Sequence, residues 1–330
     1  MAYFDSVHND STFRQKALSE GAQTLRSLLD TALPTSVSSW GRKHLFALRV
    51  LCAKPSSKGN LPLLEPYLPE SIESFDPCIQ ALVDGPAHDL QALSMMSESQ
   101  IVRSYNPNSL GSTWAALGAL LRQRGNQDGN GQREDARCLT SCFVRLVLNY
   151  GQELDSPILE FRDEKASAMY QLEAGPRRTI QAIDDGGVRL LRSSEDAGIV
   201  ALLEVKRYLQ VFEEGKPPII SDGLLAQMAG QALLVLLDKT KNNLSRTSVI
   251  TIHATRHYVR FFSFAPSAPG YTADIVALSP NDNGSDLFFL VNSTDWFDIT
   301  TKGGREMIVR HILALIQWAH GEVENGSKKE

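Results

Sequence analysis

The stretch that decides the fold is IDDGGVRLLRSSEDAGIVALLEVK, residues 183–206. Two apolar runs, VRLL and IVALL, flank the turn-rich RSSEDAG, and this pattern predicts a β-hairpin. The second run, continuous in apolar residues, suits a strand buried on both faces, so GIVALLEVK is predicted to lie inside a sheet. It ends in Glu204, Val205 and Lys206, an acid and a base two residues apart. With the turn centred between Ser194 and Glu195, Asp185 stands opposite Glu204. With the centre one residue later, Asp185 faces Lys206. In both registers Asp185, Glu204 and Lys206 share a face, because alternate strand residues point the same way. A one-residue slip brings Asp184 there instead.

Two carboxylates and an ammonium at one sheet end form a chemical unit. Paired carboxylates suit Mg²⁺ or Mn²⁺, hard cations that prefer oxygen. Such a cation polarises a phosphoryl oxygen and lowers the pKa of a bound water. A nearby lysine orients that water or stabilises charge developing on the phosphate. Gly186 and Gly187 let backbone or ligand approach closely. The plain alternative is an exposed Glu–Lys pair at a strand end, which needs no function. On the helix that follows, Gln227 and Gln231 stand one turn apart on one face. They either meet solvent or line a polar site.

Outward from this centre the texture changes. From about residue 156 the period is near two, with strands expected in SAMYQLE, RTIQAID, GVRLLRS, GIVALLEVK, SVITIHAT, HYVRFFSF, ADIVALS and DLFFLVN. Helices are expected in DGLLAQMAGQALLVLLDKT, capped by Ser221 or Asp222, and in GGREMIVRHILALIQWAH. Residues 1–150 read as helices joined by polar loops, with 124–135 a flexible loop. The expected organisation is a mostly helical region over 1–150, an α/β (α+β) domain over 151–322 and a disordered tail over 323–330.

The 330 residues are 42% hydrophobic and 22% charged, which excludes a disordered chain. The net charge of −5 gives no general field for nucleic acid, so such a partner needs a local cluster of Lys and Arg. Four cysteines fit a reduced intracellular compartment. Cys138 and Cys142, four apart on a helix, read as core thiols, because no further zinc ligand follows at suitable spacing. The start, MAYFDSVHND, lacks the features of a signal peptide, and no apolar run reaches membrane-spanning length. In TIHATRHYVRFF, the residues His253, Arg256, His257, Arg260 and Tyr258 either contact nucleic acid or belong to an edge strand with a packed inner face. HExxH, GxSxG and phosphate-loop motifs are absent from the sequence.

Asp185 followed by Glu204-Val205-Lys206 at the end of an apolar strand resembles the PD-(D/E)XK nuclease superfamily. Gln227 resembles the helix glutamine of its RecB-like branch, with Gln231 as second choice. EFRDEKASAMYQLEAGPRRTIQAIDDGG, LLEVKRYLQ, GKPPIISDGLLAQMAGQAL and VITIHATRHYVRFFSF are similar to a group of fungal proteins with a predicted domain of this kind. The resemblance covers roughly 157–320. It implies a restriction-endonuclease-like core with a central mixed sheet flanked by helices. It also implies Mg²⁺ or Mn²⁺ held by Asp185, Glu204 and Val205, with Lys206 and Gln227 serving catalysis on DNA or RNA. Asp184 stands where the motif carries proline, and the upstream acid has three candidates, Glu134, Glu153 and Glu160. Two other functions compete. One is a non-catalytic interaction protein that keeps this fold and meets a protein partner through the helical first half. The other is a hydrolase or lyase for a small phosphorylated ligand.

Overall fold

In the computed structural model the described residues are 1–31, 36–122, 129–154, 157–171, 179–192, 195–206, 218–238, 243–245, 247–282 and 285–327. β1 (Val50–Cys52) falls in the first 150 residues, read as helices and loops, whereas the other strands lie in the half where strands are expected: β2 (Ile158–Arg162), β3 (Ser167–Gln171), β4 (Thr179–Ile183) and β5 (Gly187–Arg192). They continue with β6 (Glu195–Lys206), β7 (Val249–Thr255), β8 (Tyr258–Pro266), β9 (Phe289–Ser293) and β10 (Phe297–Asp298). Among the described residues they build an eight-stranded sheet in the order β1-β9-β8-β7-β6-β5-β2, with β10 beside β8 and a separate β3–β4 hairpin. The sheet is mixed: β1–β9 and β6–β7 are parallel and the other pairs antiparallel. The chain is therefore α/β, as expected, with β6 inside the sheet between β5 and β7.

A parallel pair needs a crossover, and the helix Asp222–Leu237 lies between β6 and β7 in the chain. Ser221 caps it, its side chain accepting from the Leu224 N–H. Alternation sorts β6 between two cores. Ala201, Leu203 and Val205 enter one with the helices Gly129–Tyr150 and Lys302–Ser327. Leu202 enters the other, with the Asp222–Leu237 helix and with Tyr3, Phe13 and Trp40 from the first part of the chain.

Several expectations change. The hairpin turn falls one residue earlier, since Arg192 pairs with Glu195. Two bulges then take up the unpaired Ala197 and Val200 on β6, and pairing returns to Gly187 opposite Leu202 at the far end. The aligned end is thus the one that the first register specifies. β7 and β8 are interior strands, not edges. ADIVALS forms no strand: the helix Gly270–Asp274 takes its first residues. The expected loop 124–135 is helical from Gly129, continuous with the apolar helix that follows, and its part 124–128 lies outside the described residues. The last helix, expected over GGREMIVRHILALIQWAH, runs on to Ser327, into the expected disordered tail. Cys138 is exposed rather than buried, because Leu139, Phe143 and Val147 turn the helix's apolar face inward.

Candidate functional site

The two acids of Asp184-Asp185 take different jobs. Asp184 turns to Arg162, whose Nη2 stands 2.5 Å from its Oδ2, and accepts the Ala166 N–H at 2.8 Å. Both side chains of this pair are buried. Burial raises the Asp184 carboxyl, and Arg162 opposes that rise.

Asp185 sits at the end of the β5–β6 ladder. Its N–H donates to the Leu203 carbonyl at 2.9 Å, and its Oδ2 accepts the Val205 N–H at 3.0 Å. That backbone clamp fixes the carboxylate against the last residues of β6. The Arg133 Nη2 lies 2.6 Å from both Asp185 oxygens, and the Arg133 Nε donates to the Val205 carbonyl at 3.1 Å. The Lys165 Nζ is 3.6 Å from Oδ1.

Glu204 is fully buried, and its Oε2 accepts from the Gln231 Nε2 at 2.7 Å. Its Oε1 lies 3.2 Å from the Lys206 Nζ and accepts no aligned hydrogen bond among the described residues. The Lys206 ammonium donates to the Gln227 Oε1 at 2.6 Å. Burial raises the Glu204 carboxyl above the usual range; Lys206 lowers it, and the Asp185 charge raises it further. Asp185, Glu204, Lys206, Gln227 and Gln231 therefore belong to one polar cluster at the sheet end. The two glutamines both face it, so the choice between them resolves into two roles. Gln227 holds Lys206 and Gln231 holds Glu204.

The cluster continues along β7 and β8. Glu204 pairs with His253, and His253 with Arg260. His253 shares a hydrogen bond with the Glu204 carbonyl at 2.8 Å, and burial lowers its pKa to about 4. It is neutral at physiological pH and braces the backbone of β6. Arg260 is buried, bonds the Ser293 hydroxyl at 2.8 Å and lies over the Trp296 ring. His257 pairs with Asp298 at 2.7 Å. Neither His253 nor Arg260 is placed to meet a nucleic-acid backbone from outside.

None of the three upstream acids has a contact within the cluster among the described residues. Glu134 pairs with Arg137 and Glu160 with Arg189, while Glu153 is exposed. The member of this cluster that sequence reading missed is Arg133, next to Glu134. It fell in a Gly/Asn-rich stretch read as loop, and only its charge marked it.

Among the described residues no three His, Cys, Asp or Glu side chains gather to hold a metal ion. Two carboxylates and a carbonyl belong to this cluster. Asp185, the orphaned Oε1 of Glu204 and the Val205 carbonyl are hard oxygen donors, the kind that Mg²⁺ or Mn²⁺ takes alongside water. A buried carboxylate oxygen without an aligned hydrogen bond is costly, and a cation relieves that cost. The donor set fits such an ion. No family model matches the chain, and no curated protein matches it.

Proposed function

We propose that the protein is a metal-dependent phosphodiesterase acting on nucleic acid, built on a restriction-endonuclease-like core. The observation that carries this reading is the Glu204 Oε1: buried, without an aligned hydrogen bond, and 3.2 Å from the Lys206 ammonium beside a second carboxylate. Asp185, Glu204 and the Val205 carbonyl are the residues to hold Mg²⁺ or Mn²⁺. That ion, when bound, supplies a Lewis acid and a water of lowered pKa. The chain's own residues do the rest. The Val205 N–H and the Leu203 carbonyl hold Asp185 rigid. Gln231 fixes the Glu204 rotamer by binding Oε2, which leaves Oε1 for the reaction centre. Gln227 steers the half-exposed Lys206 ammonium, which meets the charge that builds on a phosphate oxygen. Arg133, Lys165 and Lys206 supply the local positive charge that a chain of net charge −5 lacks overall.

One observation favours the non-catalytic reading: the Asp185 carboxylate is already satisfied by a guanidinium and a backbone N–H. The two readings separate in a cleavage assay with Mn²⁺ on single- and double-stranded DNA and RNA. The phosphodiesterase cleaves, and Lys206→Ala lowers kcat about 10²-fold or more while the fold persists. Full retention of activity in Lys206→Ala sinks the role given to Lys206. Absence of cleavage on every substrate supports the interaction protein, and turnover of small phosphate esters alone supports the small-ligand hydrolase.

A further inference from the structure

Two arginine–aspartate pairs stand side by side in this site, and they differ. Arg162 and Asp184 are both buried, with side chains 8% and 3% exposed. Arg162 also donates to the Gly186 carbonyl at 3.1 Å, so this pair is a fixed part of the β2–β5 corner. Arg133 is 33% exposed although its partner Asp185 is 4% exposed. Its guanidinium spans Asp185 and the Val205 carbonyl, two of the three oxygen donors described above. It reaches them from the first turns of the Gly129–Tyr150 helix, outside the sheet.

We propose that Arg133 is a resident cation that holds the divalent-cation seat and must withdraw before Mg²⁺ or Mn²⁺ binds. Charge and exposure both point to this exchange. A buried carboxylate stripped of its partner is strongly destabilising, so Asp185 keeps a cation at all times. Arg133 is exposed enough to return to water at little cost, whereas Asp185 is not. The exchange is therefore of one cation for another on the same oxygens. With Arg133 in place, its charge and those of Lys206 and Lys165 exceed the two carboxylates by one. With a divalent ion in its place the site gains one positive charge, which favours a phosphodiester anion. Arg133 thus makes the site weak for free metal and couples metal entry to movement of the helix start. The inference rests on the proposed function only for the identity of the donor set.

The test is calorimetric titration of MnCl₂ into the full chain, wild type against Arg133→Met and Arg133→Lys. A seat free a tenth of the time binds about tenfold weaker than an open one. Arg133→Met is therefore expected to bind Mn²⁺ about tenfold tighter or better. Arg133→Lys, which keeps a cation, stays near wild type. Equal or weaker binding in Arg133→Met overturns the proposal, and so does Mn²⁺ binding to none of the three. Wild type supplies a readout if the Met variant misfolds. Its Arg133 Nε–H resonance, held on Val205, is lost as Mg²⁺ is added; a resonance unchanged at saturating Mg²⁺ also overturns the proposal. Failure here is distinct from failure of the phosphodiesterase. Tighter binding without cleavage keeps Arg133's role and removes the enzyme. Cleavage with equal affinities keeps the enzyme and removes Arg133's role.

Discussion

Glu204 is the residue on which the proposed chemistry turns, and its burial has a measurable signature. Burial lifts its carboxyl above the usual range. In the unfolded chain a glutamate titrates at about 4.3. The native state thus holds the proton more tightly than the unfolded one. The stability this group contributes is full below the unfolded pKa and lost as pH rises through the raised native value. Glu204→Gln carries no charge to bury, so its melting temperature should gain on wild type as pH rises from about 4 to about 8. Thermal denaturation across that range checks this, and a wild type that gains on the variant with rising pH contradicts it. At this scale much of the site was legible. A period of two puts Glu204 and Lys206 on one face, and a helical turn puts Gln227 beside Gln231. Arg133 was not legible, because its partner Asp185 is 52 residues away and no local pattern encodes that meeting.

At the scale of elements, the β5–β6 hairpin delivers Asp185 to Glu204, and Gly186 makes the delivery. Its φ of +131° suits glycine, and a Cβ there would stand 2.7 Å from the Arg162 carbonyl of β2. Gly186→Ala should cost about 1–3 kcal/mol through backbone strain and displace the neighbouring Asp185. Chemical denaturation measures this, and an unchanged midpoint would count against the account of this corner. The hairpin itself was readable from apolar runs and turn residues. Its bulges were not, because Val200 and Ala197 look like any other strand residues and only the partner strand reveals them as extra. ADIVALS misled for a related reason: an apolar stretch after Pro269 and Gly270 satisfies a strand pattern, yet the chain turns helical there.

Across the whole molecule, the first part of the chain supports the site. β1 extends the central sheet by pairing with β9. Arg42 pairs with Asp222 at the start of the helix that carries Gln227 and Gln231, and the Tyr3 N–H donates to the same carboxylate. Trp40 packs against that helix at Gly230, where a Cβ would lie 2.8 Å from the ring. These contacts span hundreds of residues of sequence, so reading local periods separated what the fold joins. The divalent-cation site proposed at the end of β5 and β6 decides between the catalytic and non-catalytic readings. The most direct measurement is anomalous diffraction from crystals of the full chain grown with Mn²⁺. One strong peak is expected, bounded by Asp185, Glu204 and the Val205 carbonyl, with Arg133 turned out to solvent. Saturating Mn²⁺ with no peak there, and Arg133 still seated on Asp185, would contradict it.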